Sequence, residues 1–99
     1  RFKKFIKDIV TGTIERNDLI LDELNTKLGD DFVFENLDKV FQTILKAATY
    51  EFMYKPQLSL NIIIKEYLNS SNFFLENSQT KYLNALLDNV GKKLRSKNA

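Results

Sequence analysis

The sequence predicts an all-α protein, a four-helix bundle, and three observations predict it. Apolar residues recur every three or four positions through four stretches of the chain. Gly29, Pro56 and the polar run Asn69 to Asn72 punctuate those stretches as helix boundaries do. The only β-like run is Ile62-Ile63-Ile64, which has no second strand to pair with and would leave backbone groups unsatisfied. The expected helices are 2–28, 36–54, 59–71 and 78–96, in one domain of 99 residues.

The first helix carries Phe2, Phe5, Ile6, Ile9 and Val10 and continues through Ile14, Ile20, Leu21, Leu24 and Leu28 with a drift of face. Gly12, between Thr11 and Thr13, is its weakest point, because glycine costs about 1 kcal/mol against alanine inside a helix. Gly29 is expected to end it as a left-handed cap, and Phe32, Val33 and Phe34 to pin the loop after Asp30 and Asp31. The second helix, starting at Glu35 or Asn36, is central. Its stripe is Leu37, Val40, Phe41, Ile44, Leu45, Ala48 and Phe52, with Ala47 and Ala48 allowing close approach of a neighbour. Pro56 ends it. Ser59 caps a third helix with the stripe Leu60, Ile63, Ile64, Tyr67 and Leu68. Asn77 or Ser78 caps the fourth, whose stripe is Leu83, Leu86, Leu87, Val90 and Leu94.

Composition removes several function classes. Without cysteine or histidine there is no disulfide framework, no thiolate or imidazole metal site and no neutral-pH proton shuttle. Acidic pairs such as Asp22 with Glu23 and Asp30 with Asp31 lie on a solvated face and in a loop, so neither catalysis nor a cofactor is expected. No apolar run approaches the roughly 20 residues of a membrane span, and charges interrupt the start where a signal peptide would be apolar. A cytoplasmic protein is expected. Arg1 in place of methionine points to a fragment or a processed product.

The net charge of +2 is unevenly placed: Arg1, Lys3, Lys4 and Lys7 open the chain, Asp8 to Asp38 is mostly acidic, and Lys92, Lys93, Arg95 and Lys97 close it. The closing cations suit a phosphate backbone or, equally, the negative end of a helix dipole.

Residue order is more specific than periodicity. Ile44-Leu45-Lys46-Ala47-Ala48-Thr49-Tyr50-Glu51-Phe52, then Ile64-Lys65-Glu66, then Lys81-Tyr82-Leu83-Asn84-Ala85-Leu86-Leu87-Asp88 occur in the order of three motifs of NusB, the bacterial transcription antitermination family, which the chain resembles. The resemblance covers the family's C-terminal part and lacks its N-terminal helical subdomain with the arginine-rich start. It implies an RNA-binding protein that joins NusE, a ribosomal protein, on a boxA-like single strand. It implies RNA-facing roles for Phe74, Ser78, Lys81, Tyr82 and Asn84 and partner-facing roles for Phe41 and Gln42, where Phe41 replaces the family's acidic residue.

On helical spacing Ser78, Lys81, Tyr82 and Ala85 share an outward flank when Leu83, Leu86, Leu87 and Val90 face the core. Tyr82 and Phe74 then either stack on RNA bases or pack on each other or on the third helix. Tyr50 and Glu51 are read as structural. Two other readings stay open: the RNA-guiding domain of a ribosomal RNA cytosine methyltransferase, and a helical module that binds only protein. The apolar stripe from Phe2 to Ile14 is expected either to pair with a second copy of the chain as a homodimer or to close internally on Phe32 and Phe34.

Overall fold

The computed structural model describes residues 2–29 and 32–95, with residues 2–6 as backbone. Among them are five α-helices, a single 3₁₀ turn and no strand: α1 (Phe2–Glu15), α2 (Asn17–Leu28), the 3₁₀ turn (Phe34–Asn36), α3 (Lys39–Tyr54), α4 (Leu60–Ser71) and α5 (Asn77–Leu94). The all-α expectation holds, and α3 is central: α1, α2, α4 and α5 all pack on it. Leu45, Ala48 and Phe52 of α3 meet Ile20 and Leu24 of α2, Ile63 and Ile64 of α4, and Leu83, Leu87 and Val90 of α5 in one buried cluster. Gly91 lets α5 close on α3 and α4, since a Cβ there would lie 3.1 Å from the Phe52 ring and 3.0 Å from Leu60.

The expected helix over 2–28 is divided, and at Arg16 rather than Gly12. Arg16 leaves helical geometry at φ −112° and ψ 21°. The hydrogen bonds nonetheless run across it, from the Arg16 amide to the Gly12 carbonyl at 3.0 Å and from the Ile20 amide to the Arg16 carbonyl at 2.9 Å. Asn17 and Asp18 restart the helix with a carboxylate in its first turn, which favours the positive end of the dipole. The division lets α1 follow α3 while α2 reaches both α3 and α5. Gly12 is instead a notch. The Tyr50 ring occupies the place a Cβ would take, so the residue read as weak is what lets α1 approach α3.

Other boundaries differ for local reasons. Gly29 closes α2 with φ 79°, as expected of glycine, but with ψ −175° it is extended rather than left-handed helical. The central helix begins at Lys39, later than expected, because Phe34–Asn36 form the 3₁₀ turn and Asp38 is the cap, its Oδ1 accepting from the Val40 amide at 2.9 Å. Ser59 caps α4 as expected, accepting from the Ile62 amide at 3.2 Å. The cap of α5 is Glu76 rather than Asn77 or Ser78, with the Gln79 side chain accepting from the Glu76 amide at 2.9 Å.

The stripe proposed for self-association is partly described. Val10 and Ile14 are 52% and 70% exposed, whereas the side chains of Phe2, Phe5 and Ile6 lie outside the described residues, as do Asp30 and Asp31.

The Gly12 notch gives a signed prediction. Gly12→Ala raises helix propensity by about 1 kcal/mol, yet the added methyl must displace the Tyr50 ring, an overpacking that costs about 1–3 kcal/mol. Urea unfolding followed by circular dichroism is expected to show a net loss of stability. A gain would mean that Tyr50 does not fill the notch.

Candidate nucleic-acid interface

Leu83, Leu87 and Val90 are fully buried and so set the rotation of α5 about its axis. The opposite flank carries Ser78, Lys81, Tyr82 and Ala85, all exposed, as the spacing requires. Asn84 is also exposed, but it stands about 200° around the helix from Tyr82 and does not share that ring's face.

Tyr82 is 49% exposed. It meets the Phe41 ring in a T-shaped contact with centroids 5.4 Å apart. Its aromatic partner among the described residues is therefore Phe41 of α3 rather than Phe74. Phe74 lies in the turn from α4 to α5, which is tightened by the Phe74 and Leu75 amides donating to the Ser71 carbonyl at 3.1 and 3.0 Å. Leu75 turns inward, while Phe74 borders a shallow, open hollow of about 320 Å³ with Lys39, Val40, Thr43 and Ile44. Phe73, which the sequence reading passed over, is 92% exposed. The available signal was the Phe-Phe pair itself, which stands in the turn between two helices and on the apolar stripe of neither.

Neither partner-facing residue is free. Phe41 is buried at 8% exposure, with its ring packed against Tyr82. Gln42 holds the preceding turn, its Nε2 donating to the Leu37 carbonyl at 2.9 Å and the Phe34 carbonyl at 3.3 Å.

The closing cations divide as well. Lys92 pairs with Asp88 at 3.0 Å, and Lys93 is exposed. Arg95, expected in a frayed tail, is a structural clamp: its guanidinium donates to the carbonyls of Phe52 and Lys55 at 3.0 Å each, Glu51 at 3.3 Å, and Leu58. Burial lowers its pKa. Lys97, Arg1 and the side chains of Lys3 and Lys4 lie outside the described residues. Lys81 is exposed and makes no ion pair among the described residues.

The arrangement is thus a half-anchored tyrosine, a lysine with no ion pair among the described residues and an exposed turn of two phenylalanines, all near the start of α5. Comparison with known proteins decides the family, because the NusB family matches residues 1–92. The chain belongs to the NusB family. Similar relatives are the transcription antitermination proteins NusB of Sphingopyxis alaskensis, 31% identical over 94% of this chain and 62% of the relative, and of Novosphingobium aromaticivorans, 33% identical over 92% and 62%. That of Mesorhizobium japonicum is 30% identical over 93% of this chain and 59% of its own length. The chain thus spans about three fifths of the curated relatives it matches. No solved structure matches it significantly.

In this NusB-family chain Tyr50 and Glu51 stand inside the fold. The Tyr50 hydroxyl donates to Asp8 Oδ1 at 3.5 Å, and Lys55 pairs with Asp8 Oδ2 at 2.7 Å. Glu51 is 1% exposed, and its Oε1 accepts from the Tyr67 hydroxyl at 2.6 Å. Its Oε2 is buried without a hydrogen-bond partner among the described residues. Burial raises the Glu51 pKa, although the Tyr67 hydrogen bond opposes it, and burial with the same bond pushes the Tyr67 hydroxyl up. The hydrogen bond from Lys55 holds the Asp8 carboxyl below its usual range and raises Lys55 in turn.

These shifts act on stability in opposite pH windows. Glu51 binds its proton more tightly folded than unfolded, so its contribution is complete below the ordinary glutamate range and is lost as pH rises through the folded value. Asp8 contributes above the ordinary aspartate range and loses its contribution on acidification. Urea midpoints measured from about pH 5 to about pH 8 should therefore decline, and Glu51→Gln should flatten that decline. A wild-type midpoint that rises over this range, with the same slope in Glu51→Gln, would contradict the assignment.

Proposed function

We propose that this chain binds single-stranded RNA through Phe74, Ser78, Lys81 and Tyr82 and acts in transcription antitermination, the role for which its relatives are named. The RNA is a boxA-like element of nascent transcripts, and the protein partner is a NusE-type ribosomal protein. The chain is read as one NusB-like helical domain, and its role is binding, with no catalytic step.

A single observation carries this reading: Tyr82 is held against the Phe41 ring in a T-shaped contact while nearly half of it stays exposed, next to a lysine with no ion pair among the described residues. An aromatic ring fixed in orientation but open to solvent loses little freedom when an unpaired base stacks on it, and an adjacent ammonium suits the phosphate. Asn84, on the other flank of α5, is left with the weakest claim among the five RNA-facing candidates. The three relatives named above all carry the antitermination name, which supports this role over that of a methyltransferase's RNA-guiding domain.

Fluorescence anisotropy with a boxA-like single strand tests the reading. Binding is expected to be weak, with a shallow dependence on salt, because few cations face the RNA. Tyr82→Ala should weaken it by about 1–3 kcal/mol, the share of one stacked base. Unchanged affinity in a folded Tyr82→Ala variant would return the ring to a purely structural role.

A further inference from the structure

The carboxyl of Glu51 is a buried titratable group that RNA binding does not use. It is 1% exposed and lies at the seam where α3 packs on α4. Its Oε1 accepts from the Tyr67 hydroxyl at 2.6 Å, and its Oε2 has no hydrogen-bond partner among the described residues. Charged and titratable groups face it from four sides: Asp8 from α1, Glu66 and Tyr67 from α4, Lys55 from the end of α3, and Arg95 from the end of α5.

Both cations are committed elsewhere. Lys55 pairs with Asp8 at 2.7 Å, and the Arg95 guanidinium donates to backbone carbonyls, that of Glu51 among them, rather than to this side chain. No ion pair among the described residues includes Glu51. An ionised Glu51 is therefore a buried charge with one hydrogen bond and two carboxylates facing it, whereas the neutral acid has no charge to desolvate. Lifting α4 from α3 would admit water, and the carboxyl would then ionise as an exposed glutamate does.

We propose that α4 closes on α3 with uptake of one proton at Glu51, so that the seam is a proton-operated latch, shut in mildly acidic conditions and loosened toward alkaline ones. The proton comes from solvent on closing and returns to it on opening. The latch reaches the surface through a single turn of helix. Tyr67 stands one turn before Ser71, whose carbonyl accepts from the Phe74 and Leu75 amides at 3.1 and 3.0 Å, so the α4–α5 turn inherits its hold from this seam. The opening is local, distinct from global unfolding, and does not depend on RNA binding. Above the ordinary glutamate range each pH unit favours it by up to about tenfold, until the folded value is passed and the effect levels off.

The test uses the full 99-residue chain, with its glutamate carboxyls followed by carbon-13 magnetic resonance and its amides by hydrogen exchange, from about pH 4 to about pH 9. The Glu51 carboxyl is expected to titrate at higher pH than the exposed Glu15, Glu35 and Glu76. Tyr67→Phe removes a hydrogen bond that favours the charged form, so it should move the Glu51 midpoint further up. Protection of the α4 amides relative to the α2 amides in the same sample, a ratio in which intrinsic exchange cancels, should fall as pH rises. Glu51→Gln, which cannot ionise, should abolish that fall. Glu51 titrating together with the exposed glutamates would overturn the latch. So would a raised midpoint accompanied by a wild-type α4-to-α2 ratio that does not change with pH, a result that needs no variant to fold.

Discussion

The Arg95 guanidinium on the end of α3 is the contact on which the rest of the structure depends. A helix leaves its last carbonyls without partners inside itself, and α3 packs on both α4 and α5. Arg95 answers the carbonyls of Glu51, Phe52, Lys55 and Leu58, reaching past the end of α3 into the turn after it. The planar fork of five donors makes this possible for arginine where a lysine would satisfy fewer acceptors. Because Arg95 closes α5, the same contact fixes α5 along α3. Gly91, one turn earlier, allows the close approach to Phe52 that brings the guanidinium within reach.

The other end of α5 is then determined. Tyr82 reaches the first turn of α3 and packs against Phe41, so α5 is held against α3 near both ends. The Ser78, Lys81 and Tyr82 flank is outward because Leu83, Leu87 and Val90 are fully enclosed. On the side of α1, the close contact is Tyr50 in the Gly12 notch, reinforced by the Asp8–Lys55 ion pair at 2.7 Å. Arg16 lies over the Tyr54 ring at 4.8 Å where the chain turns from α1 into α2. A central helix with little freedom on any side is what allows exposed aromatics to stand at fixed positions on the surface.

Much of this was legible because helical periodicity is local. The core stripes of α4 and α5, the Ser59 cap and the stop at Pro56 depend on residues within a turn or two, and they were read correctly. Contacts between distant residues were not legible in the same way. Nothing near Arg95 announces that it will meet carbonyls about forty residues earlier, and charge alone placed it in a basic tail. Gly12 looked like a weakness because its tenant, Tyr50, is remote in sequence. Glu76 was passed over as a cap because Asn77 and Ser78 are better cap residues by type, whereas the Gln79 side chain makes Glu76 the usable one. At the candidate site, periodicity placed Ser78, Lys81 and Tyr82 on one flank. It also put Phe41 in the core stripe, as found, but did not show that Gln42 holds the preceding turn or that Val40 opens onto a hollow with Phe74.

The central claim is that a rigidly held α3 presents the α4–α5 turn and the start of α5 to RNA. Hydrogen–deuterium exchange of the chain with and without a boxA-like single strand tests it most directly. New protection is expected over residues 73–82, while the last turn of α3, already closed by Arg95, remains as slow as in the free chain. A footprint over Lys92, Lys93 and Arg95 with none over 73–82 would contradict the account.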